Sequence, residues 1–164
     1  MKNGLITDDQ HGFVPERDCI TQLLMCIEDW TKRLEESKAF DVIYTDFAKA
    51  FDSVPHERLF LKLEAIGVSG DVLKWIKSFL RGRTQCVNVD GIRSTWRDVL
   101  SGIPQGSVLG PILFVIFIND MPSHVKHNMC KLFADDCKLY RDVKQGEVNT
   151  VQIDLDNFEE WSKI

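Results

Sequence analysis

The sequence has no excess of positive charge. Its 20 lysines and arginines are outnumbered by 25 aspartates and glutamates, a formal net charge of −5, which argues against holding nucleic acid by bulk charge. Long hydrophobic runs are also missing. The longest, Val108 to Ile118, is interrupted by Gly110 and Pro111 and falls short of the ~20 residues that cross a bilayer, so it reads as a buried core helix and no membrane is expected. The start, Met1-Lys2-Asn3-Gly4, lacks the apolar segment of a secretory signal. The 5 cysteines (Cys19, Cys26, Cys86, Cys130, Cys137) are odd in number and form no C-x-x-C pair. A reduced, intracellular setting, nucleus or cytoplasm, is the simpler expectation, with Cys19 and Cys26 sharing one helix face as small apolar residues. His124, His127 and Cys130 find no fourth ligand at finger spacing, which sets zinc aside. No repeat, linker or low-complexity tract interrupts the 164 residues, so one domain is expected.

What is present is an ordinary globular composition, 44% hydrophobic and 27% charged, with 10 Phe and 4 Trp to build a core. Arg17 to Ser37 reads as a helix whose apolar positions Ile20, Leu23, Leu24, Ile27, Trp30 and Leu34 recur at steps of three and four. Ala39 to Thr45 reads as a strand ending at Asp46. A short helix is expected after Asp46, stopped by Pro55. Two helices, His56 to Ile66 and Asp71 to Leu80, are punctuated by Gly67 and Gly70. Asp90-Gly91 between β-type runs marks a hairpin. The glycine-rich loop Ser101 to Ser107 feeds the apolar helix from Val108, Met129 to Arg141 reads as a second hairpin, and Gln145 to Ile164 as an amphipathic helix with Val148, Val151, Leu155, Phe158 and Trp161 on one side. Helices and strands are mixed without a regular βαβ repeat, so the fold class is α+β.

The chemistry concentrates in aspartates. Asp135 and Asp136 stand between two strand-like runs, where adjacent carboxylates repel one another; a plain solvent-exposed turn is the alternative. Asp46 likewise follows an apolar strand, with a helix N-cap as its alternative. Three carboxylates brought together suit hard divalent cations, and paired Mg²⁺ ions clamp the attacking and leaving oxygens of phosphoryl transfer. Asp52 reads as structural, with His56 and Arg58 as surface partners. From Asp71 to Arg97 six basic residues (Lys74, Lys77, Arg81, Arg83, Arg93, Arg97) face only Asp71 and Asp90, a local stretch suited to phosphates or simply to a solvated helix face.

The string Tyr44-Thr45-Asp46-Phe47-Ala48-Lys49-Ala50-Phe51-Asp52-Ser53-Val54-Pro55-His56 resembles the first palm motif of reverse transcriptases, in the version of non-LTR (LINE-type) retrotransposons. Ser101-Gly102-Ile103-Pro104-Gln105-Gly106-Ser107-Val108-Leu109-Gly110-Pro111 resembles the second, and Phe133-Ala134-Asp135-Asp136 the third. Gln10-His11-Gly12-Phe13 through Arg17 resembles the Gly-Phe-Arg segment at the fingers–palm junction. The motifs run in the family's order, with 135 − 46 = 89 residues between the two acidic positions.

That resemblance implies a right-hand polymerase palm, an antiparallel sheet with helices on one face, with part of the fingers and no thumb. It implies a partial domain over 1–164: fingers–palm junction and helix at 1–40, palm and metal site at 41–141, amphipathic helix at 142–164. Asp46, Asp135 and Asp136 would be the catalytic, metal-binding residues for two Mg²⁺ ions, Mn²⁺ being the substitute, with Asp136 the least essential. Phe47 would lend its backbone carbonyl. Phe51 would lie beneath the incoming sugar and disfavour a ribose 2′-hydroxyl, with ordinary core packing as its alternative. Gln105 and Gly106 would position the nascent base pair, with a turn and helix start as the alternative for Ser101 to Ser107. Lys74, Lys77, Arg81 and Arg83 would follow nucleic-acid phosphates. The implied reaction is RNA-directed DNA synthesis from dNTPs on an RNA template and DNA primer. Val14 departs from the family's arginine after Gly-Phe, and the chain starts after the fingers strands and stops before the thumb. A truncated inactive relic or a domesticated nucleic-acid-binding module is therefore the competing expectation.

Overall fold

The computed structural model describes residues 4–143 and 150–163. In chain order the elements are α1 (Cys19–Glu35), β1 (Ala39–Thr45), α2 (His56–Ala65), α3 (Gly70–Leu80), β2 (Thr84–Gln85), β3 (Asn88–Val89), β4 (Ile92–Arg93) and β5 (Arg97–Asp98). They continue with α4 (Leu109–Ile118), a 3₁₀ turn (Met121–His124), β6 (Met129–Phe133), β7 (Asp136–Val143) and α5 (Thr150–Lys163). These form two compact units, Met1–Phe47 with Ile118–Ile164, and Ala48–Phe117.

The first unit is built on an antiparallel sheet of order β1-β7-β6. Both expected segments, Ala39 to Thr45 and the hairpin from Met129, are strands. In β6 and β7, Cys130, Leu132, Cys137 and Leu139 are buried, the period-two pattern of strands with one face in a core. All five cysteines are free, and the Cys130 and Cys137 sulfurs lie 3.6 Å apart as buried thiols.

Helix α1 starts at a capping box: the Asp18 carboxylate accepts from the Thr21 N–H at 2.7 Å and the Thr21 hydroxyl accepts from the Asp18 N–H at 2.9 Å. The face this helix buries is only in part the expected one: Trp30 stacks on Phe40 and meets Tyr140 edge-on, ring centroids 6.0 Å apart in each pair. Gln22 and Cys26 are buried, whereas Ile20, Leu23, Leu24, Ile27 and Leu34 stay exposed, Leu34 at 64%; Cys19 is exposed, unlike Cys26. The reason lies on β7, whose alternate residues Lys138, Tyr140 and Asp142 are polar-tipped. Lys138 Nζ donates to Gln22 Oε1 at 2.6 Å, the Tyr140 hydroxyl donates to Asp29 Oδ2 at 2.6 Å, and Arg33 pairs with Asp142. Burial, then the Asp29 bond, pushes the Tyr140 hydroxyl far above its usual pKa. The helix therefore turns its polar stripe to the sheet, where those partners satisfy it.

In α5, Val151, Phe158 and Trp161 are buried as expected, and so is Asp154. Its carboxylate accepts from the backbone N–H groups of Lys126, His127 and Asn128 at 2.9–3.0 Å and from the Asn128 side chain at 2.5 Å. Burial raises the Asp154 pKa, but the hydrogen bonds together outweigh it and hold the carboxyl below its usual range. The 126–128 segment leading into β6 is thus fastened to α5. The beginning of the expected helix, including Val148, lies outside the described residues.

In the second unit α2 and α3 pack on each other through Leu59, Phe60, Leu63, Leu73, Ile76 and Leu80. Helix α4 buries Leu113, Phe114, Val115 and Phe117, as the apolar run after Pro111 requires. The Asp90-Gly91 turn joins β3 to β4, inside an outer β2–β5 pair. The short helix expected after Asp46 is absent: residues 48–53 form turns, and Lys49 takes φ +53°, a left-handed conformation that a right-handed helix does not accommodate.

Candidate active site

Strand register brings the acidic residues together. Thr45, the last residue of β1, pairs with Cys137, and Asp136 is the residue of β7 before Cys137. Asp46, one step beyond Thr45, therefore leaves the sheet at the end where β7 begins. Across the hairpin Phe133 pairs with Asp136, leaving Ala134 and Asp135 as a two-residue loop. Asp46 and Asp136 are exposed and Asp135 is half-buried. Burial raises the Asp135 pKa first; its own backbone N–H opposes that, and the neighbouring Asp136 and Asp46 charges add to it. No ion pair among the described residues engages any of the three.

Ala134 occupies φ +53°, a position where glycine is the usual choice and alanine costs about 1–2 kcal/mol. What holds it there was not read from the sequence. Gln10, fully buried, accepts from the Ala134 N–H at 2.8 Å and donates to the Ala134 carbonyl at 3.1 Å. Net hydrogen-bond contributions of about 1 kcal/mol each are enough to offset the strain. Gly12 passes so close that a Cβ there would sit 2.2 Å from the Ala134 nitrogen. The only sequence signal for both was their place in the Gln10–Phe13 string. Next to them His11 is buried with neither ring nitrogen partnered; burial, then Arg17 and Lys131, lowers its pKa.

Other expected residues sit as follows. Phe47 packs edge-on against Trp161, ring centroids 6.1 Å apart. In the second unit Phe51 stacks on Phe114 at 4.3 Å, Gln105 donates from Nε2 to Asp52 Oδ1 at 3.1 Å, and Ser101 donates to the Asp52 carbonyl. Asp52 thus pairs with Gln105; His56 bonds instead to the Gly102 carbonyl at 2.8 Å. Gly106 takes φ +78° with open space around it. Asp52, Arg83, Ser101 and Gln105 line a cavity of about 890 Å³. The four basic residues expected on phosphates all have partners within the protein: Lys74 with Asp71 and Arg81 with Glu57 in exposed pairs, Lys77 with Glu64, and Arg83 with the Leu80 and Gly102 carbonyls.

Among the described residues no three carboxylate, imidazole or thiolate groups already enclose an ion position. Mg²⁺ keeps several waters and is commonly held by one or two carboxylates plus substrate phosphates. Asp46, Asp135 and Asp136 offer carboxylate oxygens, the donor type that a hard divalent ion takes.

Residues 1–163 match the model of the family described as reverse transcriptase (RNA-dependent DNA polymerase). Over 166 residues the chain is 31% identical to the probable RNA-directed DNA polymerase from transposon X-element of Drosophila melanogaster, covering 98% of this chain and 18% of that protein. It is 30% identical over 163 residues to the RNA-directed DNA polymerase from mobile element jockey of the same species, covering 94% and 18%. The chain thus spans 18% of the length of these relatives. Its fold resembles apo telomerase from Candida tropicalis truncated from the C-terminal domain, with TM-score 0.61 and 14% identity over 93% of this chain and 32% of that one. That likeness supports a partial polymerase palm. No helix among the described residues is long and apolar enough to cross a membrane. Because the match runs along nearly its whole length, the chain belongs to the reverse transcriptase (RNA-dependent DNA polymerase) family.

Proposed function

We propose that this chain is the palm portion of a retrotransposon RNA-directed DNA polymerase, and that Asp46, Asp135 and Asp136 hold two divalent ions, Mg²⁺ or Mn²⁺. The observation that carries this is the Thr45–Cys137 register, which leaves Asp46 at the end of the sheet where β7 begins with Asp136, next to the Ala134–Asp135 loop. When bound, the ions supply activation of a primer 3′-hydroxyl and neutralisation of the incoming triphosphate. The protein's part is to present carboxylate oxygens that no ion pair among the described residues engages. Phe47, backed by Trp161, offers its backbone carbonyl beside Asp46. The Asp52 carboxylate orients the Gln105 amide, and the glycine at 106 leaves room for the nascent base pair. Phe51, braced flat on Phe114, is the residue assigned to exclude a ribose 2′-hydroxyl. Substrates on this reading are an RNA template, a DNA primer and dNTPs, with Lys74, Lys77, Arg81 and Arg83 near phosphates.

Primer extension on an RNA template with Mg²⁺ tests it, using a polymerase that carries this chain together with fingers and thumb. The wild type is expected to extend and Asp135→Asn to fall silent. No extension by the wild type, with salt-dependent RNA binding indifferent to Mg²⁺ and to Asp46→Asn, would mark a non-catalytic binding module instead.

A further inference from the structure

The segment before Gly12 behaves as an extra strand on the outer edge of β6. The Leu132 N–H donates to the Asp9 carbonyl at 2.8 Å, and the His11 N–H donates to the Leu132 carbonyl at 2.9 Å, a parallel bridge between Gln10 and Leu132. At Gly12 the main chain turns off before it can serve the next residue facing outward, Ala134. The Gln10 side chain serves it instead. Its Oε1 accepts from Ala134 N–H and from Gly12 N–H, both at 2.8 Å, while Nε2 donates to the Ala134 carbonyl at 3.1 Å. One planar amide thereby replaces the missing strand partner for both backbone groups of a single residue. Glutamate would lack the donor and lysine the acceptor. The backbone below is anchored in turn: Arg17 Nη1 donates to the Gln10 carbonyl at 2.8 Å and to the Thr7 carbonyl at 3.0 Å.

Ala134 is the left-handed residue directly before Asp135, so its two backbone dihedrals set where the Asp135 carboxylate points. We infer that Gln10 is a positioning residue of the acidic site, a side-chain clamp that fixes the Ala134–Asp135 loop in the geometry that aims Asp135 at its ligand. This rests on the reading of Asp135 as a metal ligand. Gln10 touches neither metal nor substrate in this account; it acts through Ala134.

Two measurements on the 164-residue chain decide it. Residue-resolved amide exchange of the wild type is expected to show the Ala134 N–H protected to the same order as Leu139 in the centre of the sheet. Exchange at the rate of an open turn would overturn the clamp outright. In Gln10→Met, of similar volume without the amide, Ala134 is expected to lose protection while Leu139 keeps it, which a general loss of structure would not produce. Mn²⁺ affinity, followed by electron paramagnetic resonance, is expected to fall roughly ten- to a hundredfold, as for other residues that orient a ligand. A folded Gln10→Met that binds Mn²⁺ like the wild type overturns the inference. Should that variant not fold, Gln10→Asn keeps an amide in the cavity but falls a methylene short of Ala134, and the same two outcomes apply. Asp135→Asn separates the two claims: if it binds Mn²⁺ as the wild type does, the metal reading is lost, and the clamp is judged on Ala134 exchange alone.

Discussion

Thr45 of β1 lies directly across from Cys137 of β7. A slip of one residue in that pairing would shift Asp46 along the sheet end and turn each β1 side chain to the opposite face. Such a slip would take the half-buried Phe40 and Val42 of β1 to the other face and shift every strand-pairing hydrogen bond between β1 and β7. The acidic end of the sheet is therefore maintained by the hydrophobic packing of the strands, which outweighs the repulsion among the carboxylates it gathers.

That repulsion has a measurable sign. An acid whose folded pKa is raised contributes unfavourably to stability above that pKa, and the contribution disappears as pH falls through it. For Asp135, raised by burial and by Asp136 and Asp46, this means that metal-free Asp135→Asn melts above the wild type at neutral pH and loses the advantage in acid. Divalent ion should reverse the order. At ten times its dissociation constant Mn²⁺ stabilises the wild type by about 1.4 kcal/mol and leaves Asp135→Asn unmoved. Calorimetry with and without Mn²⁺ checks both halves.

Asp154 carries the opposite sign. Its folded pKa is lowered, so its contribution is fully present above the unfolded carboxylate pKa and is lost as pH falls through the folded one, below about pH 4. Asp154→Ala leaves three backbone N–H groups of residues 126–128 without their acceptor and is expected to cost about 3 kcal/mol in urea unfolding at pH 7. The variant's stability should also fall less steeply in acid than that of the wild type.

Two glycines are expected to respond very differently to alanine. At Gly12 the new methyl would stand 2.2 Å from the Ala134 nitrogen, an overlap relieved only by moving the loop, so about 3 kcal/mol or more is expected. At Gly106 nothing lies within 4 Å and only the positive φ resists, which amounts to about 1 kcal/mol. Thermal melts of both variants test the ranking; equal costs would contradict the close passage of Gly12 over the loop.

On α1, apolar character and burial part company. Leu24→Gln and Leu34→Gln, at residues 60% and 64% exposed, are expected to change stability by no more than about 0.5 kcal/mol. Cys26→Gln, at a fully buried position, is expected to cost about 3 kcal/mol through overpacking and an unsatisfied amide. Chemical denaturation of the three variants distinguishes this orientation from one in which the leucine stripe faces the sheet.

That helix shows where reading residues in order fails. Periodicity in Ile20, Leu23, Leu24, Ile27 and Leu34 correctly indicates a helix, but it assumes that the apolar stripe is the one that packs. Lys138, Tyr140 and Asp142 become partners for Gln22, Asp29 and Arg33 only once β7 lies beneath α1. Asp154 is hidden for a similar reason, since three of the donors to its carboxylate are main-chain N–H groups with no side-chain signature. Gln10 too bonds a residue 124 positions away.

By itself the sequence determined the kinds of element and the kinds of chemistry: the β1 run and the hairpin from Met129, the Asp-Gly turn, the all-apolar α4, and aspartates at strand ends in an order that resembles reverse transcriptases. Local preferences and side-chain chemistry suffice for those. Tertiary structure alone decided that Thr45 meets Cys137, that α1 buries its polar stripe, that Lys49 and Ala134 stand in left-handed conformations, and that Gln10 braces the loop before Asp135. Each depends on groups far apart in the chain finding one register, and register is set by which side chains the whole sheet can bury at once.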